Sequence, residues 1–268
     1  MKHSFSFLLI FFASVTLGQD FEQLANDILF EGIELYRNER ASWISTDSVP
    51  EPDKELVNGY FTYSNGENYI SIYVDKTDKK ALYKFIFQPV GSLELKLTEI
   101  KKNIPLTETE LNILKVRKKA HGLSSMWYQQ FGYTQIVNPN IIIHRTSPGF
   151  VVYVIPGAKQ NGLLPMGGDL RMTFKKDGEL NKIDAIHNNL IPFETETPEE
   201  IAYLAHEHLG KRLDKEYMTP TDVCTLLLYR DFLKGEKHLS VHKKFISEFY
   251  YNEPRLIIRP NTEKLKLR

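Results

Sequence analysis

Asp177-Gly178 stands between two short segments, 170–176 and 179–186, in which apolar and polar side chains alternate. Strand side chains alternate faces with a period of two, so folding the chain about this pair makes a checkable pairing. A two-residue loop sets Met172 opposite Ile183 and Leu170 opposite Ala185 on one face, and Arg171 opposite Asp184 on the other. Apolar partners on one side and opposite charges on the other specify a β-hairpin in a single register. Asp-Gly suits a type I′ turn, whose two central residues both need positive φ. Asn65-Gly66 carries the same signal between aromatic and β-branched segments. A two-residue loop there would oppose Phe61 to Ile70 and Tyr60 to Ser71.

Further alternating segments at 81–88, 92–98, 141–144 and 150–155 extend the sheet signal, the last two flanking Ser147-Pro148-Gly149. Segments 237–251 and 255–259 read as closing strands. Helices punctuate this pattern. Phe21, Leu24, Ala25, Ile28, Gly32, Leu35 and Tyr36 form the apolar stripe of an amphipathic helix over 20–44. Thr107 and Glu110 form a capping box that opens a second helix. Gly122 offers it an end, which places Arg117, Lys118 and Lys119 where the helix dipole favours positive charge. Thr197-Pro198-Glu199-Glu200 predicts a third helix reaching Leu213. Thr219-Pro220-Thr221-Asp222 predicts a fourth through Leu233, although 225–229 would also serve as a buried strand. Hairpins and not crossover units join successive strands, so the expected class is α+β with mainly antiparallel sheet. An N-terminal helix and two to three further helices would pack on it. One domain over 19–268 is expected, with subdomains 19–122 and 139–268 as the alternative.

The first eighteen residues have the three parts of a secretory signal: Lys2 and His3, an apolar run from Phe5 to Phe12, and Thr16-Leu17-Gly18 before Gln19. The run is too short to span a bilayer, which needs roughly 20 apolar residues, so no membrane span is expected. The 34 basic residues balance the 34 acidic ones, which argues against nucleic acid as a partner. A single cysteine, Cys224, permits no internal disulfide, and no Asn-x-Ser/Thr glycosylation acceptor occurs. Together these favour a bacterial protein exported to the periplasm or beyond.

No catalytic signature stands out. His206-Glu207-His208 is the obvious metal candidate, but on a helix residues i and i+2 do not face one another. On the expected helix His208 falls in the stripe of Ile201, Leu204, Ala205 and Leu209, at a core edge, while His206 is solvated. A metal site of His187, His206 and His208 would therefore need distant residues to converge. Cys224, beside the run Leu226–Leu228, reads as a buried packing thiol. The segment 158–169 holds Gly162, Gly167 and Gly168, and glycine permits close backbone approach to a ligand. In the paired register His187 stands near Gly168. Gly162, Gly167, Gly168, Asp169 and His187 are thus the expected ligand-contact residues. The expected function is a non-catalytic module, without cofactor, that binds a protein or small ligand. A metal-assisted hydrolase using the second-half histidines and a structural envelope protein are the alternatives.

Overall fold

The computed structural model describes residues 4–146, 149–195, 203–208 and 216–262. The chain divides into two compact units, one of Met1–Gly32 with Thr197–Arg268 and the other of Ile33–Glu196. Helix α1 (Ser4–Ser48) contributes to both, the division falling after Gly32.

In the unit Ile33–Glu196, the latter part of α1 and a short α2 (Glu51–Lys54) precede four strands: β1 (Gly59–Ser64), β2 (Tyr69–Val74), β3 (Lys80–Val90) and β4 (Glu94–Pro105). Helix α3 (Glu108–Gln130) then leads into β5 (Val137–Arg145), β6 (Gly149–Ala158), β7 (Leu163–Gly167), β8 (Leu170–Lys175), β9 (Leu180–Ala185) and β10 (Leu190–Glu194). Eight strands form one sheet in the order β4-β3-β2-β1-β5-β6-β8-β9, and β7 pairs separately with β10. Every pairing in the large sheet is antiparallel except β1 with β5. The sheet is thus two antiparallel meanders, each introduced by a helix and joined through their first strands.

Strand periodicity sends the apolar side chains to both faces, and each face has its helix. Tyr69, Tyr73, Tyr83, Phe85 and Phe87 pack with Ala41 of α1. Phe61, Ile70, Ile72, Val152, Met172 and Phe174 pack with Ile113, Leu114, Val116 and Ala120 of α3. All six residues of β2 are buried for this reason.

Three local expectations are corrected. The Asn65 hairpin closes through four residues, because Asn65 Oδ1 accepts from the backbone N–H of both Glu67 and Asn68. Phe61 therefore faces Ile72 and Tyr60 faces Tyr73, a shift of two residues that preserves the faces. At the second hairpin, Met172–Ile183, Leu170–Ala185 and Arg171–Asp184 pair as expected. The turn itself differs: Gly178 N–H bonds to Lys175 O, and Gly178 alone takes positive φ, at 82°. A bulge at Thr173/Phe174 absorbs the extra loop residue and restores the register. Finally, α3 runs through Gly122 to Gln130. The basic cluster lies mid-helix, where Arg117 covers the Tyr60 ring and Lys118 pairs with Asp78.

The unit Met1–Gly32 with Thr197–Arg268 has a four-stranded sheet ordered β11-β12-β13-β14. Its strands are β11 (Tyr203–Glu207), β12 (Lys237–Val241), β13 (Phe245–Tyr250) and β14 (Arg255–Pro260). Helix α4 (Pro220–Tyr229) starts where expected, through a capping box between Thr219 and Asp222, and 225–229 is helical; it ends at Tyr229, short of Leu233, and a 3-10 turn follows over Arg230–Phe232. On α1, a Cβ at Gly32 would lie 2.5 Å from Val223 Cγ1, so only glycine admits this closeness to α4. Phe21 meets the Tyr217 ring edge-on and the Phe245 ring at a tilt in the same unit. The class is α+β, with mainly antiparallel sheets. No helix among the described residues is long and apolar enough to cross a membrane.

Candidate functional site

The largest departure from the sequence reading carries the candidate site. Residues 203–207 form strand β11, parallel to β12, in place of the expected helix, whose remainder lies outside the described residues. On a strand, i and i+2 share a face, so the spacing that separates His206 from His208 on a helix brings them together here. Both are buried, at 5% and 4% exposure, which corrects the reading of His206 as solvated.

Neighbouring elements complete the cluster. His206 pairs in register with Ser240, so His238, two residues before it on β12, points to the same face. His206 Nδ1 lies 2.7 Å from His238 Nε2, and His206 Nε2 lies 2.8 Å from His208 Nε2. From α4, Asp222 Oδ2 stands 3.5 Å from His208 Nε2 and 3.8 Å from His206 Nε2. The Thr219 cap fixes that carboxylate: Oδ2 accepts from Thr219 N–H and Oγ1–H, each at 2.8 Å. His238 is fully buried, and desolvation pushes its imidazole down to about 4 against the opposing pull of Asp222, so it is neutral at physiological pH.

The other expected site lies in the unit Ile33–Glu196. Asp169 and His187 do meet, with Oδ1 2.6 Å from Nδ1, and Asp169 is 2% exposed. Burial, with the nearby Asp169 charge, raises the Tyr128 hydroxyl well above its ordinary value. Segment 158–169 is a strand over much of its length and not a loop, since β7 pairs with β10. Its glycines have local causes. A Cβ on Gly167 would lie 2.4 Å from Asn189 O and one on Gly168 3.3 Å from Leu190 Cβ, and both residues have positive φ. Gly162 also has positive φ and accepts the Thr195 N–H. Close packing thus requires glycine at 167 and 168, and backbone conformation favours it at 162. Cys224 is fully buried, as expected.

Sequence reasoning thus singled out His206 and His208 but not Asp222 or His238 as their companions. The capping motif could have placed Asp222 on a helix, without saying what it faces. No sequence signal marks His238. Comparison with protein-family models, curated proteins and solved structures found no match.

Proposed function

We propose that this chain is an exported binding protein that holds a divalent transition-metal ion through His206, His208 and Asp222. The observation that carries the reading is the 2.8 Å separation of the two Nε2 atoms. Two imidazole lone pairs this close repel unless a proton or a cation lies between them. Asp222 Oδ2, 3.5 and 3.8 Å away, favours positive charge at that point. Tetrahedral coordination with bonds of about 2.0–2.2 Å holds donors roughly 3.3–3.5 Å apart, so small side-chain movements would admit an ion. Two imidazoles and one carboxylate suit zinc and its neighbours better than calcium or magnesium. Donors this deeply buried suit holding an ion more than turning over a substrate, so binding is favoured over hydrolysis.

The N-terminal pattern of 1–18 supports export from a bacterial cytoplasm to the periplasm or beyond. Fusing 1–18 to a reporter active only outside the cytoplasm should give activity, and an inactive, cytoplasmic reporter would remove the export reading. For the metal, the purified chain is dialysed against Zn²⁺ and analysed by plasma mass spectrometry. About one equivalent should be retained, and His206→Ala and Asp222→Asn should each lower it. Retention below about a tenth of an equivalent by the wild type would end the reading. Asn at 222 still offers the cap an acceptor, so its effect separates ligation from helix capping.

A further inference from the structure

We propose that His238 is the positioning residue of this metal site: its Nε2 accepts the Nδ1 proton of His206 and directs the Nε2 lone pair of His206 to the ion. The inference rests on the metal reading above. A neutral imidazole carries one proton, and a ring that ligates through Nε2 must carry it on Nδ1. His206 presents Nδ1 to His238 at 2.7 Å and Nε2 to His208 at 2.8 Å. Its two nitrogens therefore look in different directions, with His206 in the middle of a row of three rings. His238 meets His206 at Nδ1, while His208 and Asp222 lie within 3.8 Å of its Nε2, which suits an orienting partner and not a shared ligand.

The surroundings hold His238 in that role. It lies on β12, an interior strand flanked by β11 and β13, opposite Phe249 in register. Complete burial excludes water as a competing acceptor for the His206 proton. Metal-binding histidines elsewhere pass their second N–H to a carboxylate, carbonyl or water, and loss of such a partner typically lowers affinity by about 10–100-fold. Here a second histidine takes that place. It receives one proton without bringing a negative charge into the core.

The test uses the full chain with Zn²⁺ in competition against a chromophoric chelator. His238→Leu, which fills the space without an acceptor, should weaken Zn²⁺ binding by about 10–100-fold. His238→Gln supplies an acceptor oxygen and should recover most of that loss. In the Co²⁺-loaded protein, His238→Leu should also shift the visible d–d bands, a signature that a packing defect alone would leave in place. Nitrogen-15 NMR of the wild-type Zn²⁺ form should show His206 protonated on Nδ1, and this holds whether or not the Leu variant folds. Wild-type binding with an unchanged His238→Leu affinity, or equal losses for Leu and Gln, would overturn the inference while leaving the metal site intact. Protonation of His206 on Nε2 would also overturn it. A wild type that binds no Zn²⁺ would instead remove the metal reading itself.

Discussion

Glu39 should make the unit Ile33–Glu196 less stable as pH rises, and Glu39→Gln should abolish the effect. The carboxyl is on α1 at 5% exposure, with Oε1 accepting from Trp43 Nε1–H at 2.8 Å. Burial raises its pKa from 4.5 to about 7, against the smaller opposing effects of the Trp43 bond and the Arg117 charge. The folded state therefore holds this proton more tightly than the unfolded chain. Stability from this group is fully present below pH 4.5 and is lost as pH climbs through about 7. At 1.36 kcal/mol per pH unit, the full loss is roughly 3 kcal/mol. Gln keeps an acceptor for Trp43 but sets an amide N–H near Arg117, so the net gain at pH 8 should be about 2 kcal/mol. At pH 4, where the wild-type carboxyl is protonated, the same amide N–H should leave the variant about 1 kcal/mol less stable than the wild type. Trp43 and Trp127 both belong to this unit, so urea unfolding followed by tryptophan fluorescence reports on it directly. Equal wild-type stability at pH 5 and 8, with no gain for Glu39→Gln at pH 8, would refute the argument.

Gly178→Val should cost more than about 1 kcal/mol and lower the melting temperature, because φ of 82° is strained for a β-branched residue. Gly32→Ala should destabilise the unit containing α4 by about 1–3 kcal/mol, since the new methyl would meet Val223 Cγ1 at 2.5 Å. Pairing Gly32→Ala with Val223→Ala should recover part of that loss in thermal denaturation, and strict additivity of the two would contradict the contact.

What the sequence by itself determined was local. Alternation around Asp177-Gly178 named the Met172–Ile183 and Arg171–Asp184 partners, and they pair as read. Thr107 with Glu110, and Thr219 with the residue three places on, marked helix starts that form capping boxes. These signals succeed because turn, cap and pleat act between residues a few positions apart. Where a side chain reset the geometry, local rules slipped: Asn65 Oδ1 took two backbone donors and lengthened its turn. The candidate site depended on more distant partners. Ile201, Leu204, Ala205 and Leu209 have helical spacing, yet 203–207 is a strand because β12, more than thirty residues later, supplies its hydrogen bonds. That one non-local pairing changes the meaning of His206-Glu207-His208. Helical geometry separates its two imidazoles, whereas extended backbone sets them side by side. Tertiary packing then brought Asp222 from a helix start and His238 from the adjacent strand, since no spacing along the chain encodes a convergence made across a sheet and its covering helix.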